Sequence, residues 1–289
     1  MEMNTGVLST GSEFTIVSAF LSQVNSRGDR NIEKYVNLGK QLLCVRIPQI
    51  VFLERAVFDE FFGDIGSQLY SWGETRGGMF GYAGESYEYR VVGHVTFVFF
   101  EKRSMYLGKW REAITEFDVQ TPYPQKDTLD YMFVQCHKTE WTAMAIALDG
   151  ARGGFSAGVY VWLDFGVRHM FRSDIRFEVE LYQLRDRALR PSVDGFRLYA
   201  TGCWNPKGVY SADITRNIYW VFAGTVFGGK VGALLEFARR TKETCLSLIR
   251  EKRRLMWEVN VWYLLYLACP SLFVLGHGDH NATILKGMF

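Results

Sequence analysis

The chain has 289 residues, 48% hydrophobic and 22% charged, with a net charge of +2 at pH 7. That balance excludes a disordered, collagen-like or coiled-coil chain, and the near-neutral charge gives no support to a nucleic-acid binder. Aromatic residues reach 16%, so a core or cleft must house many large rings.

Phe14-Thr-Ile-Val-Ser-Ala-Phe20 is a β-branched and aromatic run that predicts a first strand. Ile32 to Leu43 carries apolar residues at helical spacing, and Ile47 to Leu53 reads as a second strand with Pro48 at its start. Arg55 to Tyr70 reads as a helix weakened by Gly63 and Gly66. The Gly-rich, polar segment Ser71 to Glu85 reads as a loop or insertion, and Tyr87 to Phe100 as a long β-prone run. A short helix is expected over Lys109 to Glu116, and a long one over Asp127 to Leu148 with a broad apolar face. Gly158-Val-Tyr-Val-Trp-Leu-Asp164 is a continuous apolar strand that ends on a carboxylate.

The second half predicts a helix near Ile175 to Arg187, then strands over Phe196 to Cys203 and Ile218 to Phe227. A helix follows Gly228-Gly229 to about Arg254, another begins near Trp257, and Leu272 to Leu275 forms a last strand. Strands alternating with helices, some continuously apolar, predict an α/β fold with a mostly parallel sheet flanked by helices on both faces. With no internal repeat or linker-like stretch, a single domain over residues 1–289 is expected.

Cys44, Cys136, Cys203, Cys245 and Cys269 form neither a CxxC nor a Cys/His spacing, which predicts reduced thiols in a cytoplasmic protein. The opening residues lack the basic and apolar regions of a signal peptide. The most apolar stretch, Val261 to Leu275, contains Pro270 and falls short of the roughly 20 residues that span a bilayer.

Asp164 carries the sharpest chemistry. In an open parallel sheet ligands gather at the carboxyl ends of strands, where Gly166 would let backbone approach closely. The carboxylate either joins substrate phosphates in holding Mg²⁺ or Mn²⁺, or caps the next turn. His277 and His280 in the tail Gly276-His-Gly-Asp-His-Asn281 lie close enough to share an ion, or form a polar surface turn. Glu258 at a helix start is favoured by the dipole, or serves as a general base if that end opens into a cleft. Lys138 and Glu140 cannot share a helix face, so the lysine could point at a ligand while the acid faces elsewhere. The basic run Arg239 to Arg254 alternates with apolar residues as in an amphipathic surface helix.

Taken together, Phe14-Thr-Ile-Val-Ser-Ala-Phe20, Lys138-Thr-Glu-Trp141, Val161-Trp-Leu-Asp-Phe-Gly-Val-Arg-His169, Ala223-Gly224, Trp257-Glu258-Val259 and Gly278-Asp-His280 resemble the HtrL/YibB family of glycosyltransferases, found in bacteria and some large DNA viruses. The resemblance implies a GT-A-like, Rossmann-type domain, with a nucleotide-binding part over about 14–166 and an acceptor-binding part over about 167–289. It implies a UDP-sugar donor and a glycan acceptor. Thr15, Val17, Ser18 and Ala19 would cradle the nucleobase, with Lys138, Trp141, Asp164, Gly166 and Lys286 on the rest of the donor. Trp204, Gly224 and Trp257 would line the acceptor, Asp164, His280 and His277 would hold Mn²⁺ or Mg²⁺, and Glu258 would be the base of an inverting transfer. The family's Asp-x-Asp is shortened here to Asp164-Phe-Gly166. The alternatives are a catalytically inactive nucleotide- or carbohydrate-binding module, and a nucleotidyltransferase.

Overall fold

In the computed structural model, which describes residues 13–22, 31–65, 76–153, 158–203 and 213–289, the first predicted elements form where their sequence patterns place them. Strand β1 is Phe14–Phe20 and helix α1 is Ile32–Leu43, its first turn capped by the Asn31 side chain, which accepts from Lys34 N at 2.9 Å. β2 (Gln49–Leu53) follows, and α2 (Arg55–Phe61) stops before Gly63 rather than running on towards Tyr70, residues 66–70 lying outside the described ones.

The segment expected to be a loop before Glu85 instead contains β3 (Arg76–Tyr82), which forms a hairpin with β4 (Glu85–Val92). Ala83 and Gly84 turn that hairpin with φ of 51° and 85°, the left-handed pair that matches strand twist. The expected run from Tyr87 to Phe100 is likewise two strands, broken at Gly93 (φ 60°) before β5 (Val95–Phe99). The short helix expected at Lys109 is a 3-10 turn over Tyr106–Ala113. Then come α3 (Leu129–Ala151), β6 (Val159–Leu163), α4 (Asp174–Ala188), β7 (Leu198–Gly202), β8 (Phe222–Lys230), α5 (Val231–Lys252), α6 (Glu258–Ala268) and β9 (Phe273–His277).

The nine strands of the described residues form one sheet in the order β3-β4-β5-β2-β1-β6-β8-β7-β9. The expectation of a mostly parallel sheet is corrected: it is mixed, with four parallel and four antiparallel pairings. The hairpin adds antiparallel strands at one edge, and β8 runs against both its neighbours, β6 and β7. Because β8 is reversed, β7 and β9 point the same way as β1, β2, β5 and β6. Their carboxyl ends therefore share one edge of the sheet, where β8 begins.

From β1 the chain builds outward through β2 and β5, then returns to place β6 on the other side of β1. That reversal of direction is the topological switch point of an open α/β sheet, and crevices for ligands form outside it.

Alternate residues of β1 belong to different core clusters. Val17 joins residues of α3, α5 and α6, including Met132, Phe237 and Trp262, while Phe14 and Ile16 join Phe177 and Leu181 of α4. A third cluster packs Phe20 with Val36, Phe58 and Phe165. Among the described residues no helix is long and apolar enough to cross a membrane, and all five cysteines are unbridged.

Candidate functional site

Four sequence-distant segments meet at the carboxyl edge beside the switch point. α3 presents Lys138, the turn after β6 presents Asp164, the first residues of β8 present the Gly224 carbonyl, and the first turn of α6 presents Glu258. The Lys138 ammonium donates to Gly224 O at 2.9 Å and to Glu258 Oε1 at 3.1 Å, and pairs with Asp164 Oδ1 at 2.9 Å. Three oxygens thus match the three protons an ammonium can donate. The Lys138 side chain is 3% exposed, so without these partners it would be an uncompensated buried charge. Burial works against its charged form, but Asp164 and Glu258 outweigh that and hold its pKa above the ordinary value.

Local sequence explains why this arrangement forms. Lys138 opens a polar patch, Lys138-Thr-Glu, on an otherwise apolar stretch of α3, and the helix begins at the Thr128 cap, whose hydroxyl accepts from Tyr131 N at 3.2 Å. A Cβ at Gly224 would overlap Glu258 Oε1, so any side chain there would displace the Glu258 carboxylate from Lys138. Phe165 packs over Gly39 of α1 and stacks on Phe20, which seats the turn carrying Asp164. At Gly166 a Cβ would stand 3.2 Å from the Tyr35 ring, so that glycine serves packing against α1.

Asp164 is the open member of the trio. Its side chain is 36% exposed, against 6% for Glu258. The Trp162 indole N–H donates to Asp164 Oδ1 at 3.0 Å, and Trp162 lies in a stacked column between Trp141 and Phe227. One ammonium and two carboxylates leave a net charge of −1, and Asp164 is the member of the cluster that meets solvent.

Lys138, Asp164, Gly224 and Glu258 are therefore brought together, while other expected site residues lie elsewhere. Thr15, Val17 and Ser18 are buried within β1, where Ser18 Oγ donates to Leu163 O at 2.7 Å, and Ala19 is half-buried against the core. Trp141 is a core ring rather than a donor contact, and Trp257 is likewise buried in the main core. Lys286 turns away to Glu180 of α4, with Nζ 3.5 Å from Oε1. Trp204 lies outside the described residues.

The predicted metal set does not gather either. His277 ends β9 beside Gly202, and His280 stands with its ring 6.0 Å from that of His169, whose Nδ1 lies 2.5 Å from Gly166 O. Among the described residues no three His, Cys, Asp or Glu side chains converge to hold a metal ion. Asp164 Oδ1, Glu258 Oε1 and Gly224 O are hard oxygens of the kind Mg²⁺ takes, but a buried ammonium sits at their centre. These residues do not fit a divalent ion.

Glu140 faces elsewhere, as its spacing from Lys138 requires, and accepts from Lys242 Nζ at 3.0 Å and Tyr82 OH at 3.1 Å. In the basic run, Arg239 and Arg240 pair with Glu236 and Glu243 along their own helix, and Arg254 with Glu116 and Asp118.

Three contributors escape a reading of motifs. Trp162, on β6 two residues before Asp164, was signalled by period 2 alone. Tyr131 sits two turns before Lys138 on α3, and its phenol is held protonated by burial and then by the charges of Glu258 and Asp164. Asn260 is fully buried and secures the segment before β8: its Oδ1 accepts from Tyr219 N at 2.8 Å, and its amide donates to Ile214 O and Asn217 O at 2.7 Å. A lone amide inside the apolar run from Trp257 was the available signal. The chain matches no protein-family model and no curated protein.

Proposed function

We propose that the chain is a nucleotide-sugar-dependent glycosyltransferase of GT-A-like architecture, with its reaction centre at Lys138, Asp164, Gly224 and Glu258. The observation that carries this reading is a partly open carboxylate, backed by a buried ion cluster, at the carboxyl edge beside the β1/β6 switch point. The strand order and the single reversed strand β8 within the β1-to-β9 part of the sheet suit a Rossmann-type donor domain. In this reading residues 14–166 bind the nucleotide-sugar and 167–289 the glycan acceptor. The unbridged cysteines suit a cytoplasmic setting.

Asp164 takes the base role expected of Glu258. Glu258 is almost enclosed and its Oε1 is committed to Lys138, whereas Asp164 reaches solvent. Asp164 accepts the proton of an acceptor hydroxyl as that oxygen attacks the anomeric carbon, while the bond to the nucleoside diphosphate breaks on the opposite face. The product carries the inverted configuration and the diphosphate leaves with the bond's electron pair. Glu258 is a positioning residue that fixes Lys138, and Lys138 with Trp162 fixes the Asp164 carboxylate.

Incubation of the purified protein with a panel of nucleotide-sugars, read by release of free nucleoside diphosphate, tests this. Release with at least one donor, lost in Asp164→Asn, is the expected result. No release from any donor, or an unchanged rate in Asp164→Asn, overturns it. The complete pairing of Lys138 favours a second reading, an inactive nucleotide- or carbohydrate-binding module, which would bind such ligands without turnover.

A further inference from the structure

We infer that the Lys138 ammonium is the resident cation of this cluster, standing where a divalent metal would otherwise sit, so that the centre operates without one. The inference rests on the site proposed above. Its readout, however, is metal binding rather than sugar transfer, so the two can fail separately.

Lys138 Nζ lies 2.9 Å from Gly224 O and Asp164 Oδ1 and 3.1 Å from Glu258 Oε1, so all three oxygens are already engaged by one positive charge. A divalent ion using the same oxygens would have to expel the ammonium. The Lys138 side chain is 3% exposed, so expelling its ammonium from these oxygens would strip a buried charge of its partners. An ion on Asp164 alone would sit within a few ångströms of that ammonium and be repelled, with one carboxylate in place of the several oxygens such ions require. Gly224 completes the argument: its missing side chain lets Glu258 reach inward to Lys138. Among the described residues no three His, Cys, Asp or Glu side chains form a ligand set that could hold a metal ion in place of the ammonium.

Mn²⁺ alone is the probe, read by electron paramagnetic resonance titration and by thermal shift. Wild-type protein is expected to take up no Mn²⁺ that depends on Asp164. Lys138→Ala vacates the centre of three oxygens, and is expected to bind Mn²⁺ at least about tenfold more tightly than wild type, with a melting midpoint that rises with metal concentration. Adding Glu258→Gln to Lys138→Ala should remove the gain. Mn²⁺ binding by wild type that disappears in Asp164→Asn overturns the inference, as does a folded Lys138→Ala variant with no gain. Should Lys138→Ala fail to fold, the comparison of wild type with Asp164→Asn decides the matter by itself. Sugar transfer that persists in excess chelator agrees with the inference, and transfer that requires added Mn²⁺ overturns it while leaving the transferase reading intact.

Discussion

His137, one residue before Lys138 on α3, makes the protein acid-sensitive. Its ring is 1% exposed, packed against Phe100, Tyr106 and Trp141, and neither ring nitrogen has a hydrogen-bond partner among the described residues. Burial, and then the Lys242 charge, push its pKa down from 6.5 to about 3. The native ring therefore stays neutral while the unfolded chain's histidine protonates near 6.5. Its contribution to stability is complete above that pH and is lost as pH falls towards the folded value. At pH 5 the unfolded state has gained about 1.5 pH units of protonation that the native state lacks, which at 1.36 kcal/mol per unit is a loss of about 2 kcal/mol relative to pH 8. At pH 3, where the native ring is itself half protonated, the loss is about 4 kcal/mol.

Urea unfolding at pH 8 and pH 5 measures this, with His137→Leu as the reference because leucine is apolar and cannot titrate. His94, whose pKa is also lowered by burial, adds acid sensitivity to both proteins and cancels in the comparison. The wild type should lose about 2 kcal/mol more than the variant between the two pH values. At pH 8 the variant should be as stable as wild type or more so, since two unpaired buried nitrogens disappear. Equal losses in the two proteins would refute the assignment of a neutral, unpartnered ring.

Gly224→Ala should push Glu258 off Lys138, with a stability loss of about 1–3 kcal/mol in thermal melts and loss of nucleoside diphosphate release. Gly232→Ala is the control, because a Cβ there meets nothing nearer than Gly195 O at 3.7 Å, and it should be neutral or stabilising. Asn260→Ala leaves Tyr219 N, Ile214 O and Asn217 O without their partner, and should cost about 1–3 kcal/mol. Limited proteolysis of that variant should cut first between residues 213 and 219. Cutting elsewhere, at the wild-type rate, would show that Asn260 does not hold the segment.

Much of the architecture is legible from local pattern. β1 and α1 coincide with their predicted ranges because apolar periodicity and the Asn31 cap decide them without help from distant residues. β3 was missed because Arg76-Gly-Gly-Met-Phe-Gly-Tyr82 has no apolar alternation. It is an edge strand with mostly exposed residues, and at Gly78 a Cβ would collide with the Tyr89 ring across the hairpin. β8 was expected to stop before Gly228-Gly229, yet both glycines are in the strand, since Gly228 packs beneath Val161 and the Phe289 ring. Orientation is where the pattern runs out: nothing in Phe222–Lys230 says that it runs against its neighbours.

The site divides the same way. Residue type and the ends of elements pointed to Lys138, Asp164, Gly224 and Glu258, but not to their mutual pairing, which spans up to 120 residues of chain. Thr15, Val17, Ser18, Trp141 and Trp257 face inward instead, because strand and helix registers around them are set by the core.

The Lys138–Glu258 bond also joins early and late parts of the polypeptide, with β6, β7 and β8 all lying between its ends. Closing so long a loop is entropically slow, and it can happen only after α6 has docked. A nascent chain that has built the sheet through β8 but lacks α6 carries a lysine in its interior with half of its counter-charge missing. Completion of synthesis thus removes an electrostatic fault, and a fragment ending before Glu258 should be selectively fragile even with most of its strands in place.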